Sequence, residues 1–176
     1  MKRLIIYGSQ YGTTKSYAEK LAELTKIPII CDKDIKNLSG YEEIIHFGGI
    51  YAGGIKGLNK TIKAISQDTH LVIVTVGLSD VTNEVNTDNI KNAIRQRVPQ
   101  SILDKTKIFH LRGGIDYEQL SFKHKIIMSM LNKMVKNLPQ EQQTPETRDL
   151  IETYNQKVNF VDFKELEKII DDCLLL

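Results

Sequence analysis

The chain lacks most of the features that make a function easy to read. It has only two cysteines, Cys31 and Cys173, with no CxxC pair and no metal-ligand spacing. That excludes a disulfide framework and a dithiol site, and a reduced, cytoplasmic setting is expected. There is no H-E-x-x-H and no Cys/His cluster, so no metal is expected. Gly8 directly precedes Ser9, so G-x-S-x-G is absent too, and no histidine stands as its base. No apolar run approaches the ~20 residues that cross a bilayer. The run behind Lys2 and Arg3 is only Leu4 to Tyr7, too short for a secretory signal. A net charge of +2 gives no basic footprint for nucleic acid.

What remains is an ordinary globular composition. The 176 residues suffice for one domain with a sizeable core, and 41% hydrophobic with 26% charged residues is typical. Five short apolar runs read as strands: RLIIYG (3–8), IPIIC (27–31), EIIHFGG (43–49), HLVIVTVG (70–77) and KIFHLRG (107–113). They show little alternation, so both faces of the sheet should be covered. Helical patterns lie between and after them, at 13–25, 58–67, 86–98 and 163–175. Asp162 followed by Glu165 predicts a capping box for the last helix. Alternating strands and helices imply an α/β, doubly wound parallel sheet, and five strands suit the order 2-1-3-4-5. With no repeat, low-complexity tract or linker, residues 1–176 are expected to form one domain, with a helical insertion over about 114–161. Thr144 and Pro145 mark one helix start there, and KNLPQEQQTPETRD reads as a solvated stretch. His46 and His110 fall inside the third and fifth strands and read as core or edge residues.

The most informative stretch is GSQYGTT (8–14), where the first strand runs into the first helix. It contains no acid and no base. In open α/β sheets ligands bind beyond the carboxyl ends of the strands, beside the switch in strand order. The helix behind this loop offers free backbone amides and a positive dipole end. Ser9, Thr13 and Thr14 add hydroxyls, and Gly12 permits close approach, with Gln10 and Tyr11 between them. This makes a phosphate nest without lysine or arginine. Walker A fails, because its glycine and lysine fall on Thr13 and Thr14, and G-x-G-x-x-G fails at Gln10. A monophosphate on a neutral nest points to flavin mononucleotide (FMN). Taken alone, the loop also reads as a tight βα turn with a helix cap.

Two further loops flank it in a 2-1-3-4-5 sheet. GGIYAGGIKGL brings Ile50, Tyr51, Ala52, Gly53 and Gly54 to one side. GLSDVTNEVN, with the end of the fourth strand, brings Thr75, Val76, Gly77, Leu78 and Asp80 to the other. Glycines admit the backbone close to a flat ring, and Tyr51 can lie against it. Lys56 would favour two-electron chemistry if it faced the ring; otherwise it faces solvent.

At Ser9, Gly12 and Thr14 the chain resembles the flavodoxin family, whose phosphate loop reads S/T-x-x-G-x-T; Tyr11 stands where that family often has Thr. More particularly, LRGGIDYEQLSFKHKIIMSMLNKM followed by FVDF resembles the tail of the menaquinone-dependent protoporphyrinogen IX dehydrogenases. The resemblance implies a flavodoxin-like fold, FMN, and oxidation of a porphyrinogen-like or other aromatic substrate with a quinone as acceptor. GGIDYEQL departs from the Arg- and aromatic-rich pattern of that branch, keeping only Arg112, Tyr117 and Phe122. The flavin would carry the chemistry, so no side-chain catalyst is assigned. The alternative is an electron carrier that only docks to redox partners; such carriers tend to be acidic, and this chain is not.

Residues 122–138, FKHKIIMSMLNKMVKNL, hold four lysines and no acid. As a helix they set Ile127, Met130, Leu131, Met134 and Leu138 on one face. That face either packs beside the fifth strand, or covers the crevice or meets the inner face of a membrane.

Overall fold

The computed structural model describes residues 1–51 and 54–173. Strand β1 (Arg3–Gly8) leads into helix α1 (Thr13–Thr25), which occupies the predicted span. Next come β2 (Ile29–Cys31), β3 (Glu43–Tyr51) and the short β4 (Gly54–Ile55). Helix α2 (Leu58–Ala64), β5 (His70–Gly77), α3 (Glu84–Arg95), α4 (Gln100–Leu103) and β6 (Lys107–Arg112) complete the wound sheet. The order is β2-β1-β3-β5-β6, all parallel, which is the expected 2-1-3-4-5 arrangement. Strand β4 folds back antiparallel on β3, pairing Ile50 with Ile55 and Tyr51 with Gly54. This hairpin is why β3 runs past Gly49.

Successive residues of each strand feed opposite cores. Ile5, Ile45, Phe47, Val72 and Val74 pack with Tyr17, Leu21, Leu166 and Ile169 on one face. Leu4, Ile6, Ile44, Leu71 and Ile73 pack with Leu58, Ile94 and Val98 on the other. Near-continuous apolar runs are what a sheet covered on both faces requires.

The insertion is an ordered unit. It contains β7 (Gly114–Asp116), α5 (Phe122–Lys136), α6 (Pro145–Thr153) and β8 (Lys157–Asn159), with β7 and β8 forming an antiparallel ribbon. Thr144 caps α6 by accepting the Thr147 amide, with Pro145 in the first turn as predicted. A one-turn 3-10 segment (Phe163–Glu165) then leads into α7 (Leu166–Cys173).

The start of that last helix differs from the expected capping box. Asp162 caps by accepting the Lys164 amide. Its own amide donates to the Tyr17 hydroxyl at 2.8 Å, and Glu165 pairs with Lys168 instead. A buried hydroxyl from α1 has taken the place of the local carboxylate. Tyr17 also donates to the Arg112 carbonyl at 2.9 Å, so one side chain ties α1, the end of β6 and the approach to α7.

Candidate functional site

The site begins where β1 stops. A Cβ at Gly8 would overlap the Lys56 carbonyl, so only glycine lets the β4–α2 turn cross here. Gly12 precedes α1 in the left-handed region, at φ 100°, a conformation glycine adopts without strain. The first intrahelical bond runs from the Ser16 amide to the Gly12 carbonyl at 2.9 Å. The amides of Thr13, Thr14 and Lys15 lie ahead of it, and no side chain caps the helix. Ser9 Oγ accepts the Gly12 amide at 3.1 Å, which leaves its own proton to donate. The nearest base on α1, Lys15, is paired with Glu19 at 3.4 Å. The turn therefore presents amides, hydroxyls and the positive end of a helix, an arrangement suited to a phosphate.

Thr13 and Thr14 open onto a cleft of about 200 Å³. Ile50 and Tyr51 at the end of β3 form one wall, and Val76, Gly77 and Leu78 form the other. Gly113 and Gly114 lie beneath, and His124, Ile127, Met128 and Leu131 of α5 roof it. Among the described residues, no carboxylate, lysine or arginine lines it. Tyr51 is fixed in the wall: its oxygen accepts the Gln10 amide at 3.1 Å, and burial raises its pKa. Tyr11 packs at 6.4 Å from the Tyr51 ring, and its hydroxyl is hydrogen-bonded to His124 Nδ1. The phosphate-loop side chain is thus tied to the roof.

Most of the residues singled out from sequence meet here. Ser9 and Gly12 build the turn; Tyr11, Thr13, Thr14, Ile50, Tyr51, Val76, Gly77 and Leu78 line the cleft. Others point elsewhere. Gln10 holds the Lys56 ammonium with its side-chain oxygen, and with Gly54 it lines a separate, open pocket behind Tyr51. Lys56 shares that pocket, not the cleft. Thr75 is buried and bonds His110 Nδ1 at 2.7 Å. Asp80 accepts from the Thr82 amide and hydroxyl at 2.9 and 2.8 Å, stabilising its own loop. Ala52 and Gly53 lie outside the described residues.

The helix face expected on α5 is divided. Leu131 turns to the cleft and Ile127 stands at its mouth, while Met130 and Met134 are 67% and 57% exposed. The buried positions are Asn132 and Val135. The roof packs on the domain with the side centred near Met128 and Val135, about 100° around from the expected face.

His46 is the core residue expected from its strand, whereas the supporting roles of Asp149 and Arg112 were not legible. His46 is fully buried; Nε2 contacts the Lys56 carbonyl at 3.0 Å and Nδ1 the Thr61 hydroxyl at 2.9 Å. A carbonyl only accepts, so Nε2 carries the proton and the ring is neutral. Burial pushes its pKa down to about 4. Asp149 belongs to a stretch read as solvated, yet its side chain is only 16% exposed. It accepts the Asp80 amide at 2.8 Å and the Asn86 side chain at 3.3 Å, and it faces Arg112 at 3.7 Å. Arg112 in turn donates to the Leu78 carbonyl at 3.0 Å and lies 3.8 Å from the Phe160 ring centroid. These partners come from across the chain, so local pattern carries no trace of them.

Solved structures with a similar chain path include a flavoprotein in complex with FMN from Lactobacillus acidophilus, 14% identical at a TM-score of 0.42, covering 63% of this chain and 91% of that one. An archaeal flavodoxin is 15% identical at a TM-score of 0.40, over 64% and 85%. Smu.1420 from Streptococcus mutans is 10% identical at a TM-score of 0.45, over 78% and 100%. No curated protein matches the chain significantly. The family model of the flavodoxin domain matches residues 4–142, a span that holds the donor-rich turn, both cleft walls and the roof helix, and the chain belongs to that family.

Proposed function

We propose that the chain is an FMN-binding oxidoreductase that acts on a small apolar or aromatic substrate, with a quinone as acceptor. The observation that carries the reading is the uncapped, charge-free turn at Gly12 opening directly into an apolar cleft. The donor set fits the cofactor: amides and hydroxyls suit a terminal monophosphate, and the carboxylate-free cleft suits a flat ring system. When bound, FMN supplies electron and hydride transfer.

The chain's own residues bind and enclose. The amides of Thr13 and Thr14, with the Ser9 hydroxyl, would hold the phosphate. Tyr51 and Leu78 wall the ring site, and Arg112 and Asp149 fix the Leu78 to Asp80 backbone. Helix α5 excludes water from above. That roof supports an enzyme over a bare electron carrier, because it shields the cleft from a docking protein and still admits a small molecule past Ile127. A porphyrinogen-like donor is the finer expectation from the resemblance; Arg112, one of the residues behind it, is already engaged by Leu78 and Asp149.

The test is to load the protein with FMN, photoreduce it without oxygen, and mix it separately with menadione and with cytochrome c. Rapid re-oxidation by menadione is expected. Re-oxidation by cytochrome c alone would make the chain a carrier, and failure to retain FMN would remove the reading altogether.

A further inference from the structure

The roof helix is apolar on two sides. Its inner side, with Met128, Leu131 and Val135, is used by the cleft and the domain. Its outer side is exposed among the described residues. Phe122, Ile126, Met130 and Met134 follow one another at every fourth residue and are 79%, 45%, 67% and 57% exposed. At 100° per residue they sweep an arc of about 120°. The remaining large apolar side chains exposed among the described residues, apart from Ile127 beside this arc, are Met1, Leu24, Val85 and Phe163, scattered over separate elements. A single helix therefore concentrates the exposed apolar surface, which on an ordinary soluble face is dispersed.

The charge on the same helix is of one sign. Lys123 and Lys133 fall within the arc, and neither forms an ion pair among the described residues. Lys125 and Lys136 flank its edge, and no acid occurs between Glu118 and Glu141. Lysines set among exposed methionine and phenylalanine can extend their ammonium groups while the stems lie on apolar surface. A protein partner would need an acidic apolar groove; a bilayer with anionic headgroups provides both elements over the whole length of the helix.

We propose that the outer face of α5 is a docking surface for an anionic lipid bilayer. The arc adjoins the cleft mouth through Ile127, which is 37% exposed and also lines the cleft. Docking there sets the cleft mouth at the lipid boundary, where a lipid-soluble acceptor resides. The surface stands without the flavin; its use in delivering an acceptor rests on the FMN reading.

The experiment is flotation of the FMN-loaded full chain with vesicles of phosphatidylcholine alone and of phosphatidylcholine with phosphatidylglycerol. Binding to the anionic vesicles only, weakened by salt, is expected. Lys123→Gln and Lys133→Gln should each weaken it about fivefold. The double variant Phe122→Ser, Met130→Ser should lose it while keeping FMN fluorescence quenched, since both side chains are exposed and neither lines the cleft. No binding by wild type, or binding undiminished in the variants, overturns the proposal. So does a wild type that is dimeric in solution while the serine variant is monomeric, because a second copy would then cover the face. FMN retention is read in the same samples, so loss of the flavin reading is separable from loss of the membrane surface.

Discussion

The turn at residues 8–14 and the insert at 114–161 face each other across one cleft, but they are held in place differently. The turn is built from neighbours: Ser9 bonds Gly12, and Gly12 starts the helix three residues on. The insert is held by partners far along the chain: Asp149 reaches Asp80, Asn86 and Arg112, and His124 reaches Tyr11. The comparison teaches that the donor-rich turn is a local construction, whereas enclosure of the cleft is a tertiary one. Each half can be broken without the other.

The largest expected effect is on the sheet side and is driven by pH. His46 holds the Lys56 carbonyl, and so the turn that crosses Gly8, as a neutral ring with its pKa lowered by burial to about 4. The unfolded chain takes up a proton near the ordinary value of 6.5, and the native one resists until about 4. Stability from this residue is complete above pH 6.5 and is lost as pH falls toward 4, by roughly 3 kcal/mol. Urea midpoints at pH 7 and pH 4, in wild type and His46→Gln, measure it. Equal pH slopes in the two proteins would show that His46 plays no such part.

On the insert side, Asp149→Ala removes the acceptor shared by the Asp80 amide and Asn86 and the ion partner of Arg112. A loss of about 2 kcal/mol is expected from groups left unpaired in a half-buried setting. FMN affinity should fall too, because the Leu78 to Asp80 wall loses its anchor. Thermal denaturation and FMN titration read the two effects. An unchanged affinity with lowered stability would show that the insert supports the fold and not the wall.

Thr14→Ala is the counterpart on the turn. Thr14 is almost fully buried and lines the cleft. FMN binding should weaken by ~0.5–1.5 kcal/mol, with little change in the melting temperature of the cofactor-free protein. If Thr14→Ala costs stability and Asp149→Ala costs only affinity, the comparison is inverted.

This division also accounts for what could be read from sequence. The strand order, the α1 span, the Thr144 cap and the donor-rich loop follow from periodicity and neighbour chemistry, and the structure has them in place. The roof helix was legible as a helix, but not which side would pack: Met130 and Met134 are apolar like Leu131, and only the placing of the cleft and of α6 separates them. Asp149 sits in a run of polar residues, and its partners are 63 and 69 residues away. The capping box at Asp162 failed for the same reason, since Tyr17 lies 145 residues away and reaches the amide before Glu165 does.

The smallest effect lies where the two halves touch. Tyr11 belongs to the turn, and its hydroxyl bonds His124 in the first turn of α5, which Ser121 caps. Tyr11→Phe deletes that hydroxyl and keeps the ring that packs against Tyr51. Both residues are only half-buried, so the bond stands near the lower end of the net range, about 0.5 kcal/mol, and water can replace it. The fold should not register the change. The roof should open more often, so FMN release should quicken about twofold, and amides of the first turn of α5 should exchange faster while those of α1 do not. Fluorescence-detected FMN release and hydrogen exchange measure the two responses. If release quickens with no change in α5 exchange, Tyr11 acts on the cofactor directly and belongs to the turn alone. If neither changes, the turn and the roof are mechanically independent, and enclosure of the cleft rests on Asp149 and Arg112.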